Sequence, residues 1–128
     1  MVPFSVELKS GIPIYEQVSF AVKKAIISGQ LKAGDRFPSV REISKELKIN
    51  PNTIQKVIAE LVREKLLTIE PGKGSIVCEI PTATKEQLKE VLEPQIEQVV
   101  VDAKRLSISI EEVIRTIHKY WTRVAGEN

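Results

Sequence analysis

Asn52, Thr53, Gln55 and Lys56 lie within a run of five residues. Asn and Gln side-chain amides can pair bidentately with adenine, and a Lys ammonium can reach guanine or a phosphate. No acidic residue occurs from Pro51 to Ala59, so nothing on this stretch repels a polyanion. Two further groups carry chemistry of the same kind. Ser39 and Arg41 lie upstream, and Lys73 lies downstream between Gly72 and Gly74. The plain alternative for all of them is an ordinary solvated surface, so their meaning depends on the elements that hold them.

Ser39 to Glu64 reads as a helix-turn-helix. Ser39-Val40-Arg41-Glu42 has the pattern of a capping box, in which the Ser hydroxyl and the Glu carboxylate each satisfy an orphan N–H. The short helix that follows carries Val40, Ile43 and Leu47 on one side and should end near Lys48. Asn50-Pro51 then opens a second helix, with Asn as N-cap and Pro at the first helical position. At about 100° per residue, Ile54, Val57, Ile58, Leu61, Val62 and Lys65 share one arc, apolar except for Lys65. Asn52, Lys56, Ala59 and Arg63 occupy the opposite arc, flanked by Thr53 and Gln55. A recognition helix requires this arrangement, because its N-terminal outer face enters the major groove.

Leu66–Glu70 and Ile76–Cys78 read as two short strands around Pro71-Gly72-Lys73-Gly74-Ser75. A hairpin directly after a recognition helix is a wing. Gly72 and Gly74 allow the backbone unusual angles and a close approach to a surface. Lys73 at the tip is placed to reach a phosphate or the minor groove. A Gly-Lys-Gly tip alone would be weak; helix, turn, helix and wing in this order are stronger together.

With these motifs the chain resembles the GntR family of bacterial winged-helix transcription regulators. The resemblance rests on Pro13-Ile14-Tyr15-Glu16-Gln17, the run from Ile27 to Ser39, Arg41-Glu42-Ile43, Asn52-Thr53-Ile54 and Glu64-Lys65-Leu66-Leu67. It covers residues 10 to 78. Asn50-Pro51-Asn52-Thr53 and the short tail look most like the YtrA subfamily. Many family members carry Arg before the Asn-Thr pair and again two residues after it, where Pro51 and Gln55 stand here. The resemblance implies that Arg41 contacts DNA, the alternative being a salt bridge to a neighbouring Glu. It also implies dimerisation through a short helical tail, and regulated genes near those of a transporter.

The chain has 128 residues, 42% hydrophobic and 28% charged, which suits a soluble globular protein of one domain, or of one small domain with an appendage. Net charge is only +2. Residues 1–80 hold 12 basic against 9 acidic residues, and residues 81–128 hold 7 against 8. The basic excess therefore lies in the first part, and its modest size favours a dimer that doubles the contacts. The single cysteine, Cys78, rules out an internal disulfide. Neither a signal peptide nor a run of the ~20 apolar residues needed to span a bilayer is visible, so a cytoplasmic protein with no membrane partner is expected.

Residues 1–10, with Phe4, Val6 and Leu8 alternating, are expected to be a loosely packed arm, with a short edge strand as the alternative. A support helix should run from Pro13 to Ser28, stopped by Gly29. Tyr15 and Gln17 in its first turn could meet a phosphate there, although Tyr15 is as well suited to packing. Arg36-Phe37 is placed to pair with the wing. After a hinge at Glu79-Ile80-Pro81, Thr84 with Gln87 forms a second capping box and Ser109 with Glu112 a third. A helix from Lys85 to Arg105 should bend or break at Pro94. Its apolar stripe includes Leu92, Ile96, Val99, Val100 and Ala103, and a last helix carries Val113, Ile114, Ile117 and Trp121. Two such helices are too few for a core of their own, so these nine residues are expected to dimerise, the alternative being that they fold back on the winged domain of the same chain.

The expected fold is mainly α with a small β-hairpin wing: a winged helix-turn-helix domain, residues 1–80, followed by a two-helix dimerisation tail, residues 81–128. No enzyme is expected. The one histidine, His118, stands on the last helix, Cys78 has no neighbour that marks a thiolate, and no Cys/His spacing suits zinc. Gly72 and Gly74 do not follow the strand–loop–helix order of a nucleotide-phosphate loop. No cofactor or metal is expected. The expected partners are double-stranded DNA, read through a pseudo-palindromic operator, and a second copy of the chain. A small-molecule effector near Trp121 stays open, with nothing in the sequence to name it. The competing reading is a winged-helix module that docks on protein and does not touch DNA.

Overall fold

A computed structural model describes residues 2 to 124. The chain divides into two compact units between Ile80 and Pro81.

In the first unit, α1 (Ile14–Ser28) ends on Gly29, whose φ of +87° closes the helix in the left-handed conformation. The short α2 (Val40–Leu47) begins with the capping box read from the sequence. Ser39 Oγ accepts from the Glu42 N–H at 3.1 Å and Glu42 Oε1 accepts from the Ser39 N–H at 3.3 Å. A tight turn leads to α3 (Pro51–Arg63), where Asn50 Oδ1 accepts from the Asn52 N–H at 2.8 Å. Then come β1 (Leu67–Glu70) and β2 (Gly74–Val77), an antiparallel pair in which Leu67 faces Val77 and Glu70 faces Gly74.

The apolar arc of α3 is the centre of this unit. Ile54, Val57, Ile58 and Leu61 are buried, and α3 packs against α1, α2 and β1. Val18, Val22 and Ala25 from α1, Ile43 from α2, and Leu67 and Val77 from the wing complete the core. The linker is tied to the wing as the sequence suggests. Arg36 bridges Ile76, Phe37 N–H donates to the Ser75 carbonyl at 2.8 Å, and Val77 N–H donates to the Asp35 carbonyl at 2.9 Å. Lys65, placed on the apolar arc by periodicity, lies beyond the end of α3 with φ +63° and is exposed.

The N-terminal arm corrects an expectation. It is extended and forms no strand, but it is not loose. Val2 and Phe4 are buried in the core, and Phe4 stacks on Phe37 with ring centroids 6.0 Å apart. The Val2 N–H donates to both carboxylate oxygens of Glu46, at 2.9 and 3.0 Å. Apolar burial of two side chains outweighs the chain entropy of ordering the few residues that carry them.

In the second unit, Thr84 and Gln87 form their capping box at the start of α4 (Lys85–Gln87). Pro94 neither breaks the helix nor simply bends it. A π-helical turn over Leu88–Leu92 sits just before it, with the Glu93 N–H reaching back to the Leu88 carbonyl, and α5 (Glu93–Arg105) continues beyond. Pro94 has no N–H to donate, and its ring would press on the carbonyl one turn back; a widened turn relieves that clash without ending the helix. A tight corner follows, closed by the Ile108 N–H donating to the Ala103 carbonyl at 2.8 Å, and α6 (Ile110–Val124) completes the pair. The third box expected from the sequence is only half formed: Ser109 Oγ accepts from the Glu112 N–H at 3.2 Å, but the Glu112 carboxylate pairs with Arg115 and does not return to the Ser109 N–H.

Of the tail residues expected to dimerise, Leu92, Ile96, Val99, Val100, Ile114, Ile117 and Trp121 are exposed. Val113 is half-buried. Ala103 departs from the set: at 8% exposure it is already buried within its own chain and offers nothing to the open face.

Candidate nucleic-acid interface

The capped start of α3 presents the polar residues outward because its opposite face is committed to the core. Asn52, Gln55 and Lys56 are exposed, and Thr53 is half-buried beside Ile54. Among the described residues no hydrogen bond holds the side chains of Asn52, Thr53 or Gln55, so their donors and acceptors face solvent. Asn50 spends its carbonyl oxygen on the cap and Pro51 has no N–H, so the first turn satisfies itself without borrowing those side chains. The first turn carries no acidic residue.

Lys56 is held in a way the sequence did not reveal. Its Nζ lies 4.1 Å from the centroid of the Tyr15 ring, a cation–π contact between α3 and the first turn of α1. The two residues are far apart in the chain, and no local spacing signals such a pair. Tyr15 is half-buried against the core, so its ring is fixed. Gln17, considered for a phosphate contact, is used differently. Its amide oxygen accepts from the Lys9 N–H at 2.8 Å, and its amide nitrogen donates to the carbonyls of Lys9 and Ile12 at 2.8 and 2.9 Å. This side chain secures the arm to α1 and has no N–H donor to spare for a phosphate.

Arg41 projects from the first turn of α2, exposed, and forms no ion pair among the described residues. Glu42, its neighbour in the turn, instead accepts from the Ser39 N–H through one carboxylate oxygen. Ser39 uses its hydroxyl oxygen as the cap acceptor, which leaves the hydroxyl proton to donate elsewhere. At the wing tip Gly72 and Gly74 take φ of +79° and +82°, and the Lys73 N–H donates to the Glu70 carbonyl at 3.0 Å. A Cβ added at either glycine would meet no atom, so the requirement at these two positions is the left-handed backbone and not space. Lys73 between them is exposed.

All of these groups belong to one unit, and apart from Tyr15 and Gln17 on α1 they follow one succession of elements: α2, turn, α3, wing. The family model for bacterial regulatory proteins of the gntR family matches residues 14–77, which spans that succession and its support helix. The chain belongs to the GntR family. It is 31% identical over 122 residues to the HTH-type transcriptional repressor YtrA of Bacillus subtilis (strain 168), covering 94% of each chain, and is a YtrA-like member. A transcriptional antiterminator from Listeria monocytogenes EGD-e superposes at a TM-score of 0.87, with 28% identity over 98% of this chain and 94% of that one. The structure of AraR(DBD) in complex with operator ORX1 is similar over 58% of this chain and 95% of that one, at a TM-score of 0.53 and 25% identity. The GntR fold class of a winged helix-turn-helix with a helical C-terminal part is therefore the one observed.

Among the described residues no group of three or more His, Cys, Asp or Glu side chains could hold a metal ion, and no helix is long and apolar enough to cross a membrane.

Proposed function

We propose that this GntR-family chain is a sequence-specific DNA-binding repressor that works as a homodimer on a pseudo-palindromic operator. One observation carries the reading: the capped, acid-free N-terminal face of α3 leaves Asn52, Thr53 and Gln55 exposed to varying degree and without protein hydrogen-bond partners. Such a face, beside a wing, is what an α-helix brings to the major groove. In this reading Asn52, Thr53 and Gln55 contact base edges and Lys56 adds a positive charge. Arg41 and Ser39 fix the register on the backbone, and Lys73 enters with the wing, allowed close approach by Gly72 and Gly74. The names of the YtrA repressor and the operator-bound AraR domain support the assignment.

Dimerisation supplies what the charge does not. With a net charge of +2 the single chain has little non-specific attraction for DNA, and two chains double both the phosphate and the base contacts. The exposed apolar residues of α5 and α6 are the surface assigned to that contact, in a C2 arrangement that matches a two-fold operator. Control of a transporter operon is proposed on the YtrA resemblance.

Fluorescence anisotropy with DNA from upstream of its own gene, against scrambled DNA at two salt concentrations, tests the reading. The expected result is a preference for the native duplex that survives near-physiological salt and falls when Asn52 is replaced by Ala, by about 1–3 kcal/mol. A confirmed dimer that binds no duplex, including any offered from a random pool, overturns it in favour of a protein-docking module.

A further inference from the structure

The geometry points to Tyr15 as a positioning residue for Lys56, holding the ammonium at a backbone phosphate and away from the base edges. The inference rests on the DNA-binding reading and deepens it. Lys56 is not paired with any carboxylate among the described residues. Glu60, one turn further along α3 and the natural i,i+4 partner, lies instead 3.9 Å from Arg63. The Lys56 ammonium rests on the Tyr15 ring, 4.1 Å from its centroid.

This choice of partner matters because a carboxylate would cancel the charge, whereas an aromatic face restrains the ammonium and leaves its full charge to an incoming anion. The ring is itself well anchored. Tyr15 is half-buried against the core, and the turn that carries it is tied down by the three Gln17 hydrogen bonds to Lys9 and Ile12. A free lysine on a helix face gives up rotamer entropy on being fixed by a ligand. Part of that cost is met before binding when the side chain already lies on the ring. The contact ties the Lys56 ammonium to the first turn of α1, whereas no such contact holds the side chains of Asn52 and Gln55 among the described residues. An ammonium so placed acts as a point charge on the sugar-phosphate track and carries no sequence information.

The test is a double-mutant cycle on the full chain: wild type, Tyr15→Leu, Lys56→Met and the double variant, with Tyr15→Phe as the conservative control. The probe is a duplex that the wild-type protein selects from a random-sequence library, with single base-pair substitutions of it for base preference. Tyr15→Leu should weaken binding roughly threefold more in the wild-type background than in the Lys56→Met background. Tyr15→Phe should restore the affinity that Tyr15→Leu loses. Lys56→Met should lower the salt slope by about one and weaken binding equally for every base substitution. In the free protein, the Lys56 ε-methylene protons should be shifted upfield by the ring in wild type and Tyr15→Phe, and not in Tyr15→Leu. Any affinity lost because Tyr15→Leu packs poorly appears in both backgrounds and cancels from the cycle. Additive losses, or a Lys56→Met effect concentrated at one base pair, overturn the inference and leave the DNA reading standing. A wild-type protein that selects no duplex overturns both.

Discussion

The two units of this chain use amphipathic helices to opposite ends. In α3 the apolar stripe is sealed: Ile54 and Leu61 are 0% exposed, closed in by α1, α2 and the wing. In α5 and α6 the stripe stands open, with Ile96 at 49%, Ile117 at 52% and Trp121 at 76%. The periodicity of hydrophobic residues is similar in both, so periodicity announces a buried face without saying what buries it. Three helices and a hairpin close a core; two helices alone have no third surface to close one. The first unit buries its stripe within its own core, and the second leaves its stripe exposed, the surface assigned to the proposed dimer.

The largest effect that sharpens this contrast belongs to the sealed stripe. Leu61→Ala should cost about 2–5 kcal/mol and lower the melting temperature of the first unit, whatever the protein concentration, because it empties a site with no room to collapse. A concentration-dependent loss would mean that the core of this unit depends on the second chain, and the contrast would fail. Trp121→Ala should do the reverse. In the proposed dimer it should cost about 2 kcal/mol of association, roughly thirtyfold in the dimer constant by sedimentation equilibrium, with the unfolding of the first unit unchanged. Unaltered association after this change would remove Trp121 from the interface.

The smallest effect compares two like caps. Ser39 and Ser109 each accept a backbone N–H three residues on, at 3.1 and 3.2 Å. Replacing either by Ala should cost about 1 kcal/mol. For Ser39→Ala the loss should appear as a lower melting temperature at any concentration. For Ser109→Ala it should appear mainly as weaker dimerisation, because in the proposed dimer the exposed apolar face of α6 is covered by the second chain. Thermal melts over a hundredfold range of concentration separate the two outcomes.

Most of the fold is legible in the sequence because its signals are local. The boxes at Ser39 and Thr84, the Asn50-Pro51 helix start, the Gly29 stop and the wing glycines each concern residues within one turn of each other. The interface follows, since the outward face of α3 is whatever its apolar arc leaves over. The docked arm is not legible, because burial of Phe4 depends on Phe37, more than thirty residues away, and alternation over so few residues does not tell a docked segment from a loose one. Pro94 suggests a bend or a break because its missing N–H and bulky ring act on the turn next to it. The π turn that accommodates it draws on residues from Leu88 onward, and no residue type there announces a widened turn.

By itself the sequence determined the order of elements, the capped start of α3 and which residues face outward from it, because hydrogen-bond capping and hydrophobic period act between neighbours in the chain. Only the tertiary structure decided that Gln17 is spent on the arm, that Arg41 has no acidic partner among the described residues, that Ala103 is closed off from the tail surface, and that Lys56 rests on Tyr15. Each of these depends on two segments brought together by the fold, and a side chain's charge or hydrogen bond is free for a ligand only when no distant segment has claimed it.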